Sequence, residues 1–321
     1  MNTVDNDAVR LLRTLLALVG VALLLACLTA PLIFNGLIAL GRAVPAFEGL
    51  RDLHFEPVIA RMLLIYLLLG FYPAVRWAGV RSPAAVGLVR GLPWRRELLM
   101  GWGVGLLSVG LLLVWAWAAG AYVWAPDSWD RVAVRVIGYL VGGLLVGYIE
   151  EVFFRGALYG ALRRVAGLLP AAVLVSLFFA LVHFLSPEHP EGIVHGHWYS
   201  GFALIPHVLY RTEDLNHYVP FAFNLFLMGW VLSAFYERQG HLYGVIGLHA
   251  GWVWLLQGSR SFFERDPLVL PWLFGASANM GRSWVATAML GLLLVWALVP
   301  WPPRRRRPKN DLQIDMRSGS G

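Results

Sequence analysis

Cysteine, lysine and charge are all scarce in this chain. The single cysteine, Cys27, excludes an internal disulfide and a thiolate metal site, and inside an apolar run it reads as a packing residue. Lys309 is the one lysine among 26 basic side chains. Charged residues make up 14% of the chain, where soluble domains carry about 25%. Hydrophobic residues make up 58%, and the mean hydropathy is +0.63. These values exclude an ordinary soluble domain. The net charge of +7 is spread over clusters between apolar runs, where it sets membrane topology; it forms no nucleic-acid-binding face. Polar linkers, internal repeats and low-complexity stretches are missing too, so residues 1–321 read as one membrane domain.

What is present is a series of long apolar runs. They predict an all-α, multi-pass transmembrane bundle of about eight spans. The first follows Arg10 and Arg13 and extends to about Leu40. That is longer than a signal-peptide core of about 7–15 residues, so it reads as an uncleaved span, with Pro31 and Asn35 as bend points. The others are expected near 57–74, 98–124, 132–163, 170–185, 220–236, 242–257 and 284–299. One side receives Arg10, the loop with Arg76, Arg81, Arg90, Arg95 and Arg96, then Arg163-Arg164, Arg238 and Arg304–Arg307. The other receives the Asp127/Asp130 turn and a histidine-rich loop. The bias predicts both termini in the cytoplasm. Residues 304–321 read as a basic, disordered tail, with Arg304–Arg307 anchoring at an anionic inner leaflet. Fifteen Trp and eleven Tyr fit interfacial aromatic belts. The expected location is a cell membrane, the inner one in a bacterium.

Charge placed inside one of these runs needs a reason. Glu150-Glu151-Val152-Phe153-Phe154-Arg155 puts three ionisable groups in a spanning segment, where a central charge costs roughly 2.5–3.5 kcal/mol on the insertion scale. Residues four apart share a helix face, so Glu151 and Arg155 can neutralise each other. Glu150 lies about 100° away around the helix, and Phe154 occupies its i+4 place. One carboxylate is thus paired and one is spare, and a spare buried carboxylate suits acid–base work. The alternative is a purely structural ion-pair network.

Two histidines extend this pattern. His183 closes the fifth run in Phe179-x-x-x-His183, and His249 lies within the seventh. At about 1.5 Å per residue, Glu150 and His183 each lie roughly 20 Å from the short connection joining their helices, so they are expected to sit level. A carboxylate and two imidazoles fit two chemistries. Glu150 activates a water oriented by His183 while His249 stabilises an oxyanion, or Glu150, His183 and His249 bind zinc. No HExxH pair supports the metal reading. His189, His195, His197, His207 and His217 fall in the loop between the fifth and sixth runs. They read as solvated residues of a segment capping the substrate entrance.

Glu150-Glu151-x-x-x-Arg155, Phe179-x-x-x-His183 and His249, with Gly229-x-x-x-Ser233 and Gly240-x-Leu242 before it, resemble the CAAX prenyl endopeptidase and bacteriocin-processing (CPBP, or Abi) intramembrane proteases. The resemblance covers about residues 132–257. It implies a helical membrane bundle that cleaves peptide bonds near the membrane surface. Glu150 would be the base that activates water and His183 its partner, with His249 on the oxyanion and no cofactor required. The family usually has Asn or Asp four residues after the last histidine; here that residue is Val253. Asn224 and the Trp252 indole N–H are the candidate replacements, and losing such a donor costs on the order of 2.7–4 kcal/mol. The implied partners are the bilayer and a membrane-anchored peptide or protein, such as a C-terminal sorting tail, a leader peptide or a bacteriocin. The rival readings are a zinc-dependent protease using the same residues and a non-catalytic scaffold or transporter.

Overall fold

The computed structural model describes residues 3–184, 196–209, 215–275, 277 and 279–299. In chain order they form α1 (Thr3–Ala43), α2 (Phe55–Trp77), α3 (Trp94–Ala118), β1 (Tyr122–Trp124) and α4 (Trp129–Glu151). A π-helical segment (Val152–Tyr159) leads into α5 (Gly160–Ala166) and α6 (Leu168–Phe184). Then come α7 (Ser200–Leu209), α8 (Leu215–Gln239), α9 (Tyr243–Gly258), β2 (Phe263–Arg265), α10 (Pro271–Phe274) and α11 (Trp284–Leu298). His189, His195 and the 304–321 tail lie outside the described residues, as do the side chains of His207 and His217.

The apolar runs form helices, but the one expected near 98–124 leaves the helix after Ala118, and Tyr122–Trp124 is a strand. Five helices are long and apolar enough to cross a membrane: Asn6–Ala43, Phe55–Trp77, Trp94–Ala118, Trp129–Ala166 and Val219–Gln239. Leu168–His183 and Trp284–Leu298 are shorter apolar helices, and α9 has 16 residues. The protein is an integral membrane protein. The run expected at 132–163 begins earlier, at Trp129, and winds as a π-helix through its centre. Gly167, at φ 85°, breaks the chain between α5 and α6, a conformation that favours glycine.

Contacts group the chain into two compact units. The first combines Met1–Gly79 with Leu181–Glu213. Its core is Ala26, Cys27, Ala30, Phe55, Val58, Ile59 and Leu204, so Cys27 serves as packing. α1 continues through Pro31, whose missing N–H leaves the Cys27 carbonyl without its helical donor. Gly201 of α7 packs on that carbonyl; a Cβ there would lie 2.4 Å from the oxygen. Asn35 donates to the Gly196 carbonyl at 2.7 Å, so it ties the lead-in of α7 to α1.

The second unit combines Val80–Ala180 with Asp214–Gly321 and is built around α9. α9 is buried from Gly244 to Trp252 and packs against α3 and α4. Glycines let the backbones touch, the usual way membrane helices approach closely. A Cβ on Gly101 of α3 would lie 1.9 Å from the Gly244 carbonyl oxygen, and one on Gly247 would lie 2.0 Å from that of Leu98. On the other flank, Gly143 and Gly147 of α4 face the carbonyls of Ala250 and Ile246. At one end of this unit, Glu97 and His241 form a buried pair at 3.7 Å, joining the start of α3 to the α8–α9 turn. At the other, β1 and β2 pair antiparallel, Tyr122 opposite Arg265 and Trp124 opposite Phe263.

These contacts set which glycines matter. Gly101→Ala forces a methyl group into backbone and is expected to lose about 1–3 kcal/mol, the usual cost of overpacking. Gly103→Ala, with nothing within 4 Å of its Cβ position, is expected to be neutral or slightly stabilising. Thermal unfolding of the two variants in detergent checks the contrast.

Candidate active site

The Glu-Glu motif ends α4, and its second carboxylate is the more deeply set. Glu151 and Arg155 side chains are both 0% exposed and pair at 2.9 Å. The Arg155 guanidinium also donates to the Gly229 carbonyl at 3.1 Å and sits over the Phe179 ring at 4.8 Å and the Phe154 ring at 5.7 Å. A buried ion pair loses hydration that Coulomb attraction alone does not repay, so these added partners are what make it tolerable. Gly229 can offer its carbonyl because it has no side chain there: a Cβ would stand 2.9 Å from the Ser176 Cα of α6. Ser233 Oγ donates to the same carbonyl at 2.9 Å. The Gly229-x-x-x-Ser233 pattern therefore serves the arginine.

His249 joins the two glutamates. Its ring is buried, with Nδ1 2.7 Å from Glu151 Oε1 and Nε2 3.9 Å from Glu150 Oε2. Glu151, ionised opposite Arg155, can only accept, so Nδ1 carries the hydrogen and donates to it. That leaves Nε2 turned toward Glu150. The Glu150 side chain is 26% exposed, against 0% for Glu151. Of the two adjacent acids, only Glu150 is reachable from outside the packed core. Glu151 holds two partners, Arg155 and His249.

The backbone contributes as well. The π winding starts directly after Glu151, and π segments of this kind are frequent at functional sites. Within it, Gly156 sits against the Val86 carbonyl, where a Cβ would lie 2.6 Å from the oxygen. Phe179 is fully buried between the rings of Phe154 at 5.1 Å and His249 at 6.1 Å. His183 is half-buried one turn further along α6, four residues from Phe179 and so on the same helix face.

Asn224 and Trp252 are not free to replace the residue missing at Val253. Both amide hydrogens of Asn224 go to carbonyls, Gly281 and Ser283 at 2.9 Å each, and its oxygen accepts from Thr287. Asn224 thus fastens α8 to the start of α11. The Trp252 indole donates to Ser108 Oγ at 3.0 Å. Val253 itself packs over Gly143. Among the described residues, no three His, Cys, Asp or Glu side chains are grouped to hold a metal ion. His197 is exposed and stacks on Tyr199 at 5.4 Å.

Residues 132–255 match the family model described as type II CAAX prenyl endopeptidase Rce1-like. That stretch is similar to Rce1-like CAAX prenyl endopeptidases. No curated protein and no solved structure matches the chain. The matched region contains the Glu-Glu-Arg motif, Phe179, His183, Gly229 and His249. The family is one of peptide hydrolases.

The burial of the Glu151–Arg155 pair makes it sensitive to losing one member. Arg155→Leu strands Glu151 and His249 without their cation and is expected to destabilise the protein by about 3–5 kcal/mol. Arg155→Lys keeps the charge but loses the fork that reaches both Glu151 and Gly229, and should fall between the two. Thermal unfolding of both variants tests the ranking.

Proposed function

We propose that the protein is an intramembrane endopeptidase that hydrolyses a peptide bond of a membrane-associated substrate with a glutamate-activated water. The observation that carries this reading is the His249 ring held between two adjacent glutamates, only one of which is accessible. Glu150 takes a proton from water as the water oxygen attacks the peptide carbonyl. The oxyanion that forms meets Nε2–H of His249 in its doubly protonated form, Nδ1–H remaining on Glu151. Glu150 then returns the proton to the leaving amine. Its position next to an imidazole in a water-poor site suits that exchange.

His183 orients the attacking water in this scheme. The FxxxH spacing supports the assignment, because it puts His183 on the face of α6 whose other member, Phe179, packs on His249. Glu151 and Arg155 fix the ring and do not meet the substrate. The scheme requires no metal, and a chelator should leave the rate of pure protein unchanged. The arginine clusters support about eight spans with both termini in the cytoplasm. The substrate class is a peptide tethered to the membrane: a sorting tail, a leader or a bacteriocin precursor.

Two outcomes follow for cleavage of a membrane-anchored peptide by purified protein. Glu150→Gln should abolish cleavage while the unfolding temperature stays within about 2–4 °C of wild type, since the group lies outside the fully buried Glu151–Arg155 pair. His249→Gln should lower kcat by about 10²–10³, the usual effect of removing an oxyanion donor. The rate of the wild type should fall at high pH, as the Nε2 proton of His249 is lost. A Glu150→Gln variant that cleaves normally removes the proposal.

A further inference from the structure

At the end of the second unit that carries β1 and β2, the chain from Asp266 to Gly275 reads Asp-Pro-Leu-Val-Leu-Pro-Trp-Leu-Phe-Gly, with no charged or hydroxyl side chain after the aspartate. Leu268 is 87% exposed and Trp272 69%, and Leu270 between them is exposed too. A loop standing in water has no need to turn its large apolar side chains outward. Much of its backbone hydrogen bonding is internal. The Arg265 guanidinium donates to the carbonyls of Ala121 at 3.0 Å, Val269 at 2.9 Å, Gly275 at 2.6 Å and also Asp266. Leu268 N–H donates to the Asp266 carboxylate at 3.0 Å, and Val269 N–H to the Asp266 carbonyl at 3.2 Å. The N–H groups of Leu273 and Phe274 both donate to the Leu270 carbonyl at 3.0 Å. Pro267 and Pro271 bring no N–H at all. Leu270 is held at φ 44°, a conformation that bulky residues seldom adopt and that persists only where its surroundings enforce it.

Exposed tryptophans collect at the same end. The exposed apolar stripe of α3 (Leu107, Leu111, Val114) runs into Trp117, and that of α4 (Val134, Ile137, Val141) starts at Trp129. Trp115 of α3 meets Phe274 edge-on at 5.6 Å, and Trp124 of β1 stacks on Phe262 at 5.6 Å, so the loop is continuous with the ends of these two spans. Tryptophan concentrates where spans leave the hydrocarbon. Irregular backbone enters a water-poor layer only when its N–H and C=O groups already have partners. We propose that residues 266–275 lie in the bilayer interface rather than in water, with Leu268 and Trp272 below the phosphates and Arg265 bonding the backbone behind them. The proposal rests on α3 and α4 spanning a membrane and is independent of the peptidase reading.

The test uses single-site spin labels on the full chain in vesicles of phosphatidylcholine and phosphatidylglycerol. Cys27 is fully buried and stays unlabelled, so Leu268→Cys and, separately, Trp272→Cys each place one nitroxide. Both substitutions fall on exposed side chains and leave the packed core untouched. Collisions with oxygen, which enters lipid, and with a nickel chelate, which stays in water, give the depth of each label. Oxygen should reach both labels in preference to nickel, at a depth of about 5–10 Å below the phosphates, the range of interfacial segments. Preferential access by nickel at either site puts the loop in water and overturns the proposal. A label that neither reagent reaches puts a protein surface over the loop, a second copy or another chain, and overturns it equally. Cleavage is not read in this experiment, so failure here is distinct from failure of the peptidase reading.

Discussion

The site depends on a buried ion pair that is never left as a simple pair. Glu151 and Arg155 are both withdrawn from water, and each is given further partners: a backbone carbonyl and two aromatic faces for the cation, an imidazole N–H for the anion. A charge in this position is stable only while that set is complete. The consequence is geometric. Because Glu151 must keep Nδ1 of His249, the ring cannot turn, and its second nitrogen is held toward Glu150. Electrostatic necessity in the core thus sets the orientation of the group nearest the accessible acid.

The packing around the pair serves the same end. α9 carries His249 and is pressed between α3 and α4 through glycines whose missing side chains allow backbone contact. Gly229 repeats the device on α8, where closeness to Ser176 leaves its carbonyl available to Arg155. The π segment after Glu151 changes the winding of the motif helix at the point where its two acids need different surroundings. Rigid, close-packed backbone on three helices holds the two glutamates and the imidazole in fixed relation.

Much of this was legible in the residues themselves. The Glu151–Arg155 pair follows from four-residue spacing. The helices follow from apolar runs whose length leaves few alternatives. Other features depend on contacts between distant segments, and no local pattern reveals them. The π winding is one; the Glu151–His249 bond, across α4 and α9, is another. Asn224 shows the limit most clearly: an asparagine in an apolar helix can serve a reaction or a neighbouring helix, and only the position of Gly281 and Ser283 assigns it to α11. The β1–β2 pairing was missed because its three-residue strands are too short to show a period.

The central claim is the state of one ring, and ¹⁵N spectroscopy of selectively labelled His249 reads it directly. The account predicts a protonated, hydrogen-bonded Nδ1 throughout the active pH range, and an Nε2 proton lost over the pH interval in which peptide cleavage declines. A bare Nδ1, or an Nε2 that does not change while cleavage falls, would contradict it.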